Sequence, residues 1–144
     1  MLKYVLEIEQ QVMQSFFNAV AVIFSLFILS IIYHANTDGS MAAMHAIRSL
    51  KHGDKIAHFF LFGTLGFVMN LAFSCKTWRW FGISLYRGTA LVLLFAIVEE
   101  FSQHFISRRM FDLLDLLADV LGVLFFAIIT RCVYHRLSRI FPAI

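Results

Sequence analysis

Residues 16–33 read FFNAVAVIFSLFILSIIY, 18 consecutive positions without a Lys, Arg, Asp, Glu or His. As a helix rising 1.5 Å per residue this stretch covers about 27 Å, close to the ~30 Å hydrocarbon core of a bilayer. It reads as a full membrane span. Between Gln10 and Thr37 only His34 interrupts the run with an ionisable group of those types. The whole chain agrees with this reading: 60% of its 144 residues are apolar and 15% are charged, with a mean hydropathy of +0.80. Soluble domains average ~45–50% apolar and ~25% charged, so a soluble globular domain is excluded. A signal peptide is the competing reading of residues 16–34. Glu7 and Glu9 precede the stretch, however, and its length exceeds the ~7–15 residues of a signal-peptide core, which favours a retained anchor.

Further along, residues 56–75 form a second stretch free of Lys, Arg, Asp and Glu, with Gly63 and Gly66 available for close helix approach. The next two apolar cores, Gly88 to Val98 and Val120 to Thr130, contain 11 residues each. Eleven residues cover only ~16 Å, about half of the hydrocarbon core, so both must be extended. Extension to 85–105 and 112–134, with a short hairpin over 106–111, carries carboxylates into the outer half of the bilayer. The expected fold is therefore all-α, a four-transmembrane-helix bundle in a single domain over 1–144. A short interfacial helix is expected in the 35–53 loop. Pro142 is the only proline, so no proline kink is available within the spans.

Four spans place the N-terminus, the second loop and the C-terminus on one side, with Lys3, Lys76, Arg79, Arg87, Arg131, Arg136 and Arg139. Arg48, Lys51, Lys55, Arg108 and Arg109 fall on the other. The bias, seven against five, puts both termini in the cytoplasm. These cations flank hydrocarbon segments and no groove-reading motif accompanies them, which argues against a nucleic-acid partner. Cys75 and Cys132 fall on the reducing side, where no disulfide is expected. Trp78 and Trp80 occupy the boundary suited to interfacial anchors. Asn18 and Asn70 are expected to bond between helices.

Six of the nine acids, Asp54, Glu99, Glu100, Asp112, Asp115 and Asp119, collect at the outer helix ends. Asp112, Asp115 and Asp119 follow i, i+3, i+7 and share one helix face. Glu100, Gln103 and His104 share a side of the third helix, while Asp54 and His58 lie one turn apart on the second. Three cations, Lys55, Arg108 and Arg109, accompany the six acids. One reading is a neutralising network that fixes helix packing. The other is a functional site, because ionised groups in lipid are costly and usually mark one. The excess of acid is then met by neutral carboxyls or by a cation. A divalent metal (Mg, Mn or Zn) on His58, Glu100, Asp115 and Asp119 would supply that cation, with His104 an alternative imidazole, although no tight ligand motif is present.

The motifs Asp54-Lys55-Ile56-Ala57-His58, Glu100-Phe101-Ser102-Gln103, Arg109-Met110-Phe111-Asp112-Leu113-Leu114-Asp115 and Asp119-Val120-Leu121-Gly122 together resemble the VanZ-like family of small bacterial membrane proteins. The resemblance runs from about Asp54 to Phe126. The family is named for a member associated with low-level teicoplanin resistance, and no reaction is firmly assigned to it at large. By position, the resemblance carries over Asp54, Lys55, His58, Glu100, Gln103, Arg109, Asp112 and Asp115 as site residues. Asp119 stands where the family usually has Asn, and Phe62 where Tyr is common.

Three functions are in play. The first is a pocket in the outer leaflet of a bacterial inner membrane that binds or acts on an envelope lipid or a lipid-linked cell-wall precursor. There Arg109 and Lys55 would hold phosphate or carboxylate, His58 and Glu100 would handle protons, and Asp112, Asp115 and Asp119 would hold a cation or protonated amine. The second is a non-enzymatic helper that docks to an envelope enzyme. Proton-coupled transport is the third and least favoured, since no acidic relay appears in the inner half.

Overall fold

The computed structural model describes residues 2–37, 49–80, 82–106 and 109–140. Among these residues there are four helices and one two-stranded hairpin: α1 (Leu2–Asn36), α2 (Gly53–Ala72), β1 (Thr77–Trp80), β2 (Ile83–Tyr86), α3 (Arg87–Gln103) and α4 (Leu113–Ile140). Three helical segments are long and apolar enough to cross a membrane, Tyr4–Asn36, Gly53–Ala72 and Leu113–Arg136. The expected interfacial helix in the 35–53 loop falls largely on residues 38–48, outside the described residues.

The helix boundaries correct the expected spans. The 35 residues of α1 make it about 52 Å long, so the 16–34 span is the C-terminal half of a helix that overruns a bilayer at its N-terminal end. The helix α2 begins three residues earlier than expected and stops at Ala72, not at residue 75. Its end is a Schellman turn: the Ser74 amide donates to the Leu71 carbonyl (2.9 Å) and the Cys75 amide to the Asn70 carbonyl (2.8 Å). Ser74 takes the left-handed conformation, φ 51°, that this motif requires.

The third helix is the largest correction. Expected over 85–105, it runs only from Arg87 to Gln103, because Leu85 and Tyr86 belong to a hairpin that pairs Thr77 with Tyr86 and Trp80 with Ile83. The residues Thr77-Trp78-Arg79-Trp80 and Ile83-Ser84-Leu85-Tyr86 are rich in aromatic and β-branched types, and Gly82 (φ 82°) supplies the positive φ of a two-residue link. Local strand chemistry overrides extension of the helix. The guanidinium of Arg87 lies 5.9 Å from the centroid of the Trp78 ring, and Trp78 is exposed, as an interfacial aromatic should be.

All four helices meet in one apolar core: Ile28 from α1, Phe62 and Leu65 from α2, Val92 and Ala96 from α3, and Val123 from α4. The tightest crossing is α2 on α4. A Cβ at Gly122 would collide with the Phe59 carbonyl oxygen, and one at Gly63 would reach 2.6 Å from the Phe126 ring. Glycine at these positions permits near backbone contact.

Two buried polar groups flank this core. At the hairpin end, Asn70 accepts from the Thr89 amide (2.8 Å) and donates to Thr89 Oγ1 (2.9 Å) and Thr130 Oγ1 (3.4 Å), joining α2, α3 and α4. The interhelical role expected of Asn70 is met. Asn18 differs, since it accepts from Gln14 within its own helix (3.0 Å). The polar link from α1 runs instead from Gln14 to the Ala72 carbonyl and from Ser74 to Gln14 (2.7 Å). Cys75 and Cys132 are free thiols; burial pushes the Cys75 thiol up to about 11.

Candidate functional site

The second polar group lies at the opposite end, where α2 and α4 begin and α3 ends. Asp112 caps α4: its Oδ1 accepts the Leu114 amide at 2.8 Å, the bond expected of an N-cap carboxylate. Its second oxygen, Oδ2, accepts from Lys55 Nζ at 2.8 Å. The same ammonium donates to Asp115 Oδ1 (2.8 Å) and Asp54 Oδ2 (2.7 Å). All three donors of Lys55 are thereby engaged. Lys55 and the Leu114 amide hold the Asp112 carboxyl below the usual carboxylate range. The rim is half open, with side-chain exposures of 46% for Asp54, 41% for Asp112 and 16% for Asp115.

A buried layer lies beneath this rim. His58 Nδ1 is 3.0 Å from Asp119 Oδ1, and Asp119 is fully buried. The imidazole lies parallel to the Phe62 ring (2°, centroids 5.9 Å apart), and Phe62 stacks in turn on Phe95. Hydrogen bond and stacking together fix the ring plane. On α3, Gln103 donates to Glu99 (2.9 Å) and Glu100 (3.0 Å) and accepts from Arg109 Nε (3.2 Å). Glu100, fully buried, also accepts the Asp112 amide at 2.7 Å, which ties the end of α3 to the start of α4.

Each residue of the expected set (Asp54, Lys55, His58, Glu100, Gln103, Arg109, Asp112 and Asp115) is at this end of the bundle, bonded into one of three groups. Lys55 gathers three aspartates, Gln103 gathers Glu99, Glu100 and Arg109, and His58 pairs with Asp119. His104 is not brought in: it is exposed, with its ring against Phe105. Arg108 lies outside the described residues. Two contributors were undervalued by sequence reasoning, Glu99 and the ring of Phe62. The i, i+4 spacing of Glu99 and Gln103, and the same spacing of His58 and Phe62, were the signals that could have found them.

Among the described residues, one group of three acidic side chains brings ligand oxygens within 4.8 Å of one another, Asp54, Asp112 and Asp115. Its centre is the place Lys55 Nζ already serves, so a divalent ion there would have to displace a tethered ammonium. The expected metal set of His58, Glu100, Asp115 and Asp119 is split between bonds to Asp119, Gln103, the Asp112 amide and Lys55.

The fold and this cluster define a class: a helical membrane protein with buried carboxylates at one end of its helices. The chain belongs to the VanZ/LLP1 family, whose sequence model matches residues 3–134, well beyond the motif-bearing half. An uncharacterized protein of the fission yeast Schizosaccharomyces pombe is 36% identical over an 89-residue alignment that covers 58% of this chain and 49% of that protein. The chain thus spans about half the length of this curated relative. No solved structure matches it.

Proposed function

We propose that this chain is a four-span envelope membrane protein whose acidic cluster, at the outer end of the bundle, binds and acts on the headgroup of a membrane lipid or a lipid-linked precursor. The observation that carries this reading is an imbalance of charge. Six carboxylates gather with two fixed cations among the described residues, Lys55 and Arg109, and the innermost are fully buried. Such a site in a hydrocarbon-lined bundle costs stability and is retained for use. At 17 residues, about 25 Å, α3 crosses with its polar ends, Arg87 and Gln103, near the two boundaries. Within the site Arg109 faces phosphate, the carboxylates hold positive charge, and His58, oriented by Asp119, offers Nε2 as proton acceptor. A fungal relative favours a lipid headgroup common to bacteria and fungi over a wall precursor. Where the precursor is the ligand, loss of the protein changes teicoplanin susceptibility.

A second reading, a docking helper for an envelope enzyme, draws support from the saturated ammonium of Lys55, which makes the rim a helix-fixing knot. Lipid extracted from the protein purified in nanodiscs separates the two. The wild type and the lipid-facing control Ile128→Ala are expected to retain the same enriched lipid class. Asp115→Asn should retain about tenfold less, the worth of one charge-assisted contact. An unchanged lipid complement in folded Asp115→Asn leaves the knot and removes the pocket.

A further inference from the structure

The side chain of Asp119 is completely buried, and its two oxygens differ. His58 Nδ1 engages Oδ1, whereas Oδ2 is buried and without a hydrogen-bond partner among the described residues. A desolvated carboxylate oxygen that lacks a donor is costly. The charges that reach it make an anionic ligand unsuitable. Glu99 from α3 and Asp115 from α4 lie within electrostatic range of both His58 and Asp119, and Lys55, the cation on α2, has its three donors committed at the rim. What this oxygen lacks is a positively charged group that carries N–H donors.

The chain already displays the solution one turn above. There Lys55 places a primary ammonium among three carboxylate oxygens at 2.7–2.8 Å. Asp115 gives Oδ1 to that ammonium and stands one helical turn from Asp119 on the same face of α4, so the two side chains are neighbours. Asp115 is also partly exposed, at the rim. The imidazole of His58, bonded to Asp119 through Nδ1, is held parallel to the Phe62 ring.

The geometry points to a second ammonium position between Asp115 and Asp119, beneath Lys55, that takes the protonated primary amine of an ethanolamine-type headgroup. The inference rests on the lipid reading above and names the headgroup. A primary ammonium has three donors, enough for Asp119 Oδ2 and Asp115 together. A trimethylammonium has none and leaves the oxygen as it stands.

The test uses the intact protein in nanodiscs made from equal amounts of phosphatidylethanolamine and phosphatidylcholine with identical acyl chains, followed by quantification of the retained lipid. The wild type is expected to enrich phosphatidylethanolamine about tenfold over the bulk ratio. Asp119→Asn keeps a carbonyl oxygen for His58 and places an NH2 where the acceptor stood, so its retained lipid should return to the bulk ratio. Should that variant fold poorly, the wild type alone suffices: enrichment must fall when phosphatidylethanolamine is replaced by its N,N-dimethyl derivative. Displacement by soluble phosphoethanolamine assigns the amine to a free metabolite as well as to lipid, and resistance to it assigns lipid alone; both support the amine site. Retained lipid at the bulk ratio, or enrichment that survives in Asp119→Asn, overturns the inference while the lipid reading stands. Absence of retained lipid overturns both.

Discussion

Asp112 performs two tasks with one carboxylate. It caps α4 through the Leu114 amide and shares Lys55 with Asp54 and Asp115. Its carboxyl is held below its ordinary value of 3.8 by these contacts, first by Lys55. For a depressed carboxylate pKa the sign is fixed: the stabilisation is complete above the unfolded value, and it is lost as pH falls through the lower folded one. Asn is as good a cap as Asp, so Asp112→Asn removes the charge and keeps the cap. Thermal unfolding in detergent should show the wild type losing stability at acid pH, with a shallower loss in Asp112→Asn. Identical profiles would mean that the charge of Asp112 adds nothing. The stripe of Asp112, Asp115 and Asp119 was legible from its spacing. The division of labour within it was not, because a one-dimensional pattern does not say which oxygen meets Lys55 and which meets His58.

At the scale of elements, the packing of α2 on α4 depends on glycine. Ala at residue 122 would drive its methyl into the Phe59 carbonyl, a backbone atom that cannot swing aside. Overpacking of this kind costs about 1–3 kcal/mol. Gly122→Ala is therefore expected to lower the unfolding midpoint in detergent, whereas Leu121→Ala, at an exposed neighbour, should leave it nearly unchanged. Equal midpoints for both variants would show that the helices do not approach as closely as described. Gly63 and Gly66 were recognisable as approach points in the sequence, but Gly122, embedded in a motif with Asp119, drew no such reading. The hairpin of Thr77 to Tyr86 was also missed, since hydrophobicity alone does not distinguish the end of a span from a short aromatic strand.

For the whole molecule, the decisive question is whether α3 crosses. If it does, the Asn70–Thr89–Thr130 node and the acidic cluster sit toward opposite membrane faces, and both termini share the side of the hairpin. Single cysteines at Tyr4, Trp78 and His104, introduced with Cys75 and Cys132 replaced, test this with an impermeant thiol reagent on sealed cells. Residue 104 should label from outside, and residues 4 and 78 only after permeabilisation. Labelling of all three from one side would reduce the bundle to three spans, with α3 lying within one face.

From sequence alone came the membrane setting, the helical class and the collection of acids at one set of helix ends. Hydrocarbon length and charge placement are one-dimensional quantities, and lipid enforces both through the cost of unpaired polar groups. The tertiary structure decided which charges are neutralised and which remain. Lys55 reaches Asp112 and Asp115 across 57 and 60 positions of chain, His58 reaches Asp119 across 61, and Asp119 keeps one buried oxygen without a partner among the described residues. Those pairings depend on how α2 crosses α4. That crossing is set by contacts between glycine and backbone, and no local stretch of sequence encodes it.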